Sequence, residues 1–284
     1  MKIQKQQGIV VGASHVLDYP VNEGALCPRG NTAYQLIQRE DRLTHPLIRE
    51  GDEFREASWS EALDLVAKRI KSVVERYGAK AVAVFGSTKI TSEEAYLLQK
   101  LAREAIGTPN IDCGARMCLA PALIALREVI GFPYAWVELS QLELADCMLV
   151  MGANPIETSP VISRRILRAR EAGAKVVVVD PRRSRTSWKS TVHLQVFPGR
   201  DAALLMAMVH SVLEAKLYSE SAKELVDDLG KLEREAQRFA PEAVEEAVGV
   251  DAQTIRRVAA EIALSKKVAA IVSHGVLQHI GSVE

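Results

Sequence analysis

The sequence predicts an α/β protein built as two Rossmann-like, three-layer lobes with mostly parallel sheets. Three observations carry this. Short continuous apolar runs recur at Ala81–Phe85, Cys147–Met151, Lys175–Asp180 and Val268–Val272, the pattern of strands buried on both faces. Segments with apolar residues at helical spacing separate them, and helix and strand alternate along the chain. The apolar runs at 147–151 and 175–180 also end in turn-forming Gly, Asp and Pro residues, where parallel sheets hold ligands. The 284 residues suffice for two domains, placed at 39–112 and 113–284, with residues 1–38 too short to bury a core alone.

In chain order, Gly8–Gly12 reads as a strand, followed by turns at Asp18-Tyr19-Pro20 and Asn22-Glu23-Gly24. Ser58-Trp59-Ser60-Glu61 is a capping box opening a helix with Leu63, Val66, Ile70, Val73, Val74 and Tyr77 on its inward face, ended by Gly78. After the 81–85 strand, a helix runs from Thr91 to Gly107, and a short strand covers 110–113. Beyond 113 come a helix over 123–130, the 147–151 strand and a helix over 160–172 with its Arg and Glu residues outward. The 175–180 and 192–197 strands, a 201–216 helix, short helices over 219–249, a helix capped by Asp251 and the 268–272 strand complete the chain.

Lys plus Arg and Asp plus Glu both number 36, so no general polyanion surface is expected and nucleic acid is not a predicted partner. No apolar run reaches the length of a membrane span, and no leader opens the chain, so a cytoplasmic setting is the expectation. The cysteines Cys27, Cys113, Cys118 and Cys147 form no C-x-x-C pair, which argues against a zinc ribbon or redox dithiol.

Two kinds of feature could carry chemistry. Cys113 and Cys118 lead into an apolar helix, where the positive helix end favours thiolate, the form that ligates soft metals; on this stretch alone the competing reading is the commoner one, since most free cysteines are small buried core residues. Three strand-end loops form the second feature: Gly152-Ala153-Asn154-Pro155-Ile156-Glu157, Asp180-Pro181-Arg182-Arg183 and Pro198-Gly199-Arg200-Asp201. Backbone N–H groups there can hold phosphate, carboxylates can hold ribose or a guanine edge, and Arg can pair with pyrophosphate. Together they suggest a nucleotide-containing cofactor. G-x-G-x-x-G and the phosphate-loop motif are both absent, which argues against NAD and against a P-loop nucleotide site. His274 with Gly275 at the last strand end could face the same ligand, whereas His210 reads as a core residue.

At these residues the chain resembles catalytic subunits of molybdopterin oxidoreductases that use bis(molybdopterin guanine dinucleotide), and most of all the formate dehydrogenase alpha subunit. Asn22-Glu23-Gly24-Ala25-Leu26-Cys27-Pro28-Arg29-Gly30 is similar to the family's last iron–sulfur cysteine and its flank. Asp112–Pro121 is similar to the stretch that holds the metal-ligating cysteine or selenocysteine. The three loops fall where the family holds its guanine dinucleotides.

The resemblance implies roles. Cys118 would bind molybdenum or tungsten. Cys27 would bind a [4Fe-4S] cluster, and Arg29 would lie between cluster and pterin. Gly152, Asn154, Pro155, Glu157, Asp180, Pro181, Arg182, Gly199, Arg200, Asp201, His274 and Gly275 would line the dinucleotide site. Residues 1–38 become the remnant of an iron–sulfur domain, and 113–284 the guanine-dinucleotide-binding domain. The implied reaction is two-electron oxidation of formate, a small-molecule substrate, with electrons passed to the cluster.

Three departures qualify it. The family's other three cluster cysteines, upstream of Cys27, are missing, and one thiolate cannot hold a cubane cluster. The family continues for several hundred residues further, so this chain is expected to be incomplete at both ends, inactive alone and completed by other subunits or split-chain pieces. Leu119 stands where formate dehydrogenases have His, which favours a nitrate reductase-like member as the alternative. A non-catalytic or truncated piece that keeps only the fold is the other.

Overall fold

A computed structural model describes residues 1–134 and 137–283. The chain is α/β, and its contacts group it into two compact units. The smaller comprises residues 3–13 and 32–120; the larger comprises 1–2, 14–31 and the chain from Pro121 onward. The division falls at 120/121 rather than 112/113, because the strand ending at Cys113 pairs back into the smaller unit. Residues 1–38 are shared between the units rather than standing apart.

In the smaller unit, β1 (Lys2–Gln6) and β2 (Ile9–Ser14) form a hairpin. Its turn is Gln7-Gly8, with φ of 50° and 83°, the positive pair that a two-residue hairpin loop requires. β1 is exposed throughout and has one apolar residue, Ile3, so apolar patterning did not announce it. β3 (Leu47–Glu50) and β4 (Glu53–Glu56) pair antiparallel. The helix Trp59–Tyr77 follows, with Ser58 as N-cap accepting from Glu61 N–H. The reciprocal half of the predicted capping box is replaced: the Glu61 carboxylate binds the Arg55 guanidinium at 2.5 Å.

β5 (Val84–Gly86) and β6 (Ile111–Cys113) form a parallel pair. Between them lie the helix Ser92–Lys100 and a π-helical continuation, Leu101–Ile106, ended by Gly107 at φ 79°. The expected two-sided burial of 81–85 does not occur: Phe85 is 81% exposed. Nor does the 59–77 helix bury its apolar stripe, since Leu63, Val66 and Tyr77 are exposed. A two-stranded sheet is too narrow to cover these faces.

The larger unit holds the core. Its sheet is parallel, in the order β10 (Val268–Val272), β7 (Cys147–Met151), β8 (Lys175–Val179), β9 (Val192–Leu194). Cys147, Met151, Val177, Val179 and Leu194 face one helix layer, Asp201–Glu214 and Ala252–Ala263. Met148, Val150, Val176 and Val178 face the other, Pro160–Glu171 with the 3-10 turn Leu139–Leu144. β7 and β8 are the two inner strands, and their side chains are almost wholly buried. Each such Val or Met contributes about 1.5–3 kcal/mol. Alternation along parallel strands therefore sets both faces, while the carboxyl ends carry the loops.

Candidate nucleotide-cofactor site

At the carboxyl ends of β7 and β10 two backbones cross. Gly152 has φ 54°, and a Cβ on it would lie 2.6 Å from Val276 N and 2.8 Å from Gly275 C. A Cβ on Gly275 would lie 2.6 Å from Gly152 Cα. Gly275 N–H donates to Gly152 O at 3.0 Å. Only glycine at both positions permits this approach. Sequence reading marked both residues without seeing that each requires the other.

The loop beyond Gly152 is fixed by Thr186, whose hydroxyl donates to Asn154 Oδ1 at 2.6 Å and accepts from Ile156 N–H at 3.3 Å. Asn154 precedes the short helix Pro155–Thr158, where buried Pro155 takes the first position, at no cost in hydrogen bonding. Glu157 points to Arg185 at 3.9 Å. After β8, Asp180 Oδ1 accepts from Arg182 N–H at 2.8 Å, an Asx turn that leaves Oδ2 without a hydrogen bond among the described residues. His193 donates to Asp180 O at 2.8 Å and Gln195 to Pro181 O at 3.0 Å, bracing this loop from β9.

After β9, Gly199 turns at φ 74° and Arg200 caps the Asp201–Glu214 helix. Asp201 is 8% exposed. Burial pushes its carboxyl up from the usual range and Asp180 adds to this, against its own backbone N–H and His279. Asp201 and His279 line a cavity of about 290 Å3 with Gly199 and Val276. His279 donates to Gly275 O at 2.8 Å, four residues back along the chain. The exposed His274 ring lies 3.3 Å from the Ser273 hydroxyl.

The larger unit also binds its early segment. Glu23, at φ 47°, pairs with Arg165 at 2.8 Å and Arg168 at 2.7 Å; Glu143 pairs with the same two at 2.6 and 3.1 Å. Arg165, expected outward, has a side chain only 7% exposed. The Arg168 hydrogen bond, opposed by some burial and aided by the charge of Arg165, holds the Glu23 carboxyl below its usual range. Burial works against the Glu143 carboxylate, but Arg165 and Arg168 outweigh it. Gly24 is required here as well: at φ 76°, a Cβ would sit 2.7 Å from Leu17.

This clamp sets the next residues. Cys27 precedes the short helix Pro28–Thr32. The Gly30 N–H and then the Arg29 side chain pull its thiol below the usual range. Arg29 Nη2 donates to Thr158 O at 3.0 Å, joining this segment to the Asn154–Thr158 loop.

In the smaller unit, Cys113 ends β6 and its N–H donates to Asp112 Oδ1 at 2.8 Å. Arg116 donates to the other Asp112 oxygen. Cys118 closes the one-turn helix Ala115–Cys118 and is half-buried, two residues before the helix Ala120–Ile130. Cys147 is fully buried between the sheet and the 201–214 layer, and burial raises its thiol. Among the described residues no three His, Cys, Asp or Glu side chains converge as a metal-ligand set.

The residues singled out at 152–157, 180–182, 199–201 and 274–275 thus lie on the carboxyl-end loops of one sheet, with Arg29 bonded to one of those loops. Sequence reading missed Thr186, His193, Gln195 and His279, which brace them, and the Glu23–Arg165–Arg168–Glu143 clamp. Polar residues one strand away give no periodic signal; only i, i+3 spacing of Arg165 and Arg168 on one helix hinted at the clamp.

The chain is 35% identical over 280 residues to the F420-dependent formate dehydrogenase subunit alpha of Methanocaldococcus jannaschii, covering 98% of this chain and 41% of that protein. It is 32% identical over 271 residues to formate dehydrogenase H of Escherichia coli, covering 93% of this chain and 38% of the other. The chain thus spans less than half the length of these relatives. The fold matches acetylene hydratase from Pelobacter acetylenicus with a TM-score of 0.81 at 24% identity, covering 99% of this chain and 39% of that one. The molybdopterin oxidoreductase family model matches residues 42–282, and the chain belongs to that family.

Proposed function

We propose that this chain is part of the catalytic subunit of a molybdenum- or tungsten-pterin oxidoreductase of the formate dehydrogenase type. The observation that carries it is the glycine crossing at 152 and 275, flanked by Asn154, Asp180 and Asp201 on neighbouring strand ends. The loops fit a bis(molybdopterin guanine dinucleotide). A Cβ would fill the crossing at either glycine. Arg182 and Arg200 make no ion pair among the described residues, and Asp180 keeps one oxygen open. Asn154, Asp180, Arg182, Gly199 and Asp201 would hold a guanine dinucleotide, with Pro155, Glu157, Pro181, Arg200 and His274 beside them. Cys118 would be the metal's protein ligand, supplying soft thiolate.

When bound, the metal–dithiolene centre supplies two-electron redox chemistry. The residues of this chain bind and orient. The Glu23 clamp fixes Arg29 against Thr158, and Thr186 and His193 stiffen the loops before a ligand arrives, which lowers the ordering cost of binding. The single thiolate of Cys27 does not fit a [4Fe-4S] cluster by itself. Cys27 is proposed as one ligand of a cluster whose other cysteines come from a companion polypeptide, and the chain alone as inactive. Leu119 supports a second reading, a nitrate reductase-like member, since an apolar residue beside Cys118 can handle no proton.

The test is pterin, guanine nucleotide and metal content of the chain expressed in a host that makes the cofactor, with its companion polypeptides. Wild type is expected to release guanine nucleotide and to carry molybdenum or tungsten. Gly152→Ala should lose at least tenfold of both. Wild type without either contradicts the proposal.

A further inference from the structure

The four charges that hold residues 14–31 on the larger unit divide unequally. Glu143 lies on the 3-10 turn Leu139–Leu144, and Arg165 and Arg168 lie on the helix Pro160–Glu171. Leu142 and Ile166, on the same two elements, are buried in one core cluster. These three charges therefore belong to one packed layer. Within it two guanidiniums share one carboxylate: Glu143 Oε1 accepts from Arg165 at 2.6 Å and from Arg168 at 3.1 Å. The layer keeps one positive charge in excess, beside an Arg165 side chain that is almost wholly buried. A buried charge without a partner is costly.

Glu23 brings the partner from outside the layer. Its Oε1 lies 2.8 Å from Arg165, and its Oε2 lies 2.7 Å from Arg168 and 3.9 Å from Arg164. Backbone carbonyls accompany it. Pro20 O and Val21 O accept from Arg165 at 3.5 and 3.4 Å, and Asn22 O accepts from Arg164 at 3.4 Å.

The turn that carries Glu23 is not stable by itself. Glu23 sits at φ 47°, a left-handed conformation that costs a residue with a side chain about 1–2 kcal/mol. Asn22 Oδ1 is buried and accepts no hydrogen bond among the described residues, a further cost. Among the described residues, none of 14–31 belongs to either core cluster of the larger unit. The ion pairs are what offset these costs. Four residues after Glu23 the chain reaches Cys27, and Arg29 then bonds Thr158 O.

We propose that Arg165, Arg168 and Glu143 form a preformed carboxylate socket with Glu23 as its plug, and that this charge pairing sets where the Cys27–Arg29 segment lies against the Asn154–Thr158 loop. Arg165 is a positioning residue, acting through Glu23 on Arg29. This rests on the reading of that segment and that loop as neighbours of one bound cofactor.

The test measures a distance by pulsed electron paramagnetic resonance on the full chain without cofactor. Oxime-linked nitroxides at positions 31 and 171, both exposed, leave the cysteines untouched. One reports the segment and the other the far end of the socket helix. Glu23→Gln removes the plug's charge, Glu23→Lys reverses it and so repels the arginines, and Glu23→Lys with Arg168→Glu restores opposite signs. The Glu23 and Arg168 side chains are 36% and 35% exposed, so water reaches the altered charges; melting temperatures check that each variant folds. Wild type is expected to give one narrow distance. Glu23→Gln should add a second population, Glu23→Lys should lose the narrow distance, and the double variant should recover it. Folded Glu23→Lys that keeps the wild-type distance overturns the proposal, and so does a folded double variant that stays undocked. If Glu23→Lys does not fold, an unchanged distribution in Glu23→Gln overturns it. No cofactor takes part, so these failures leave the cofactor reading standing; that reading falls separately, on wild type that carries neither guanine nucleotide nor metal.

Discussion

Asp201 opens the 201–214 helix with little exposure, and burial raises its carboxyl. A carboxyl whose folded pKa lies above its unfolded value costs stability once pH exceeds both, and nothing below both. Asp201→Asn should therefore raise the melting temperature of the free chain near neutral pH. The gain should vanish below about pH 3.9, the unfolded aspartate value, in a series of thermal melts. Glu23 behaves oppositely: its lowered carboxyl stabilises above the unfolded value, and this is lost as pH falls through the folded one. Glu23→Gln should then melt below wild type at neutral pH, and the difference should close in acid beneath about pH 4.3. Residues with a local signature were legible in the sequence: Gly152, Asp180, Gly199 and Asp201 stand at strand ends flanked by apolar runs. Arg165 was not, because its partner, the Glu23 carboxylate, is brought to it by tertiary packing.

At the scale of elements, helix starts were readable because capping is local chemistry. Thr91 and Glu94 form a full reciprocal box, with bonds of 3.2 and 2.8 Å. Thr91→Ala should cost about 1 kcal/mol, measured by denaturant unfolding. The inner strands β7 and β8 were also legible, because strands covered on both faces read as apolar runs; β10 reads the same way, but the two-sided burial expected of it does not occur, since Val268 and Val272 are exposed. Burial in the smaller unit was not, because periodicity marks a face without saying what covers it. Leu63 and Val66 both lie on the predicted inward stripe and are exposed. The larger unit answers differently: Leu204, fully buried under the sheet, should cost about 2–5 kcal/mol when cut to Ala.

At the scale of the molecule, the larger unit presents three strand-end loops, a glycine crossing and a clamped Cys27–Arg29 segment, all on one compact body. The smaller unit presents Cys118 after a single helical turn. Sequence resemblance assigned these two parts to one cofactor, and the family match over residues 42–282 includes Cys118 and the strand-end loops. The most direct measurement of that assignment is metal-edge X-ray absorption on the chain purified with its companion polypeptides, comparing wild type with Cys118→Ala. Molybdenum or tungsten in a sulfur shell is expected in wild type, with one sulfur neighbour fewer in the variant. An identical sulfur shell in both proteins contradicts a bond between Cys118 and the metal.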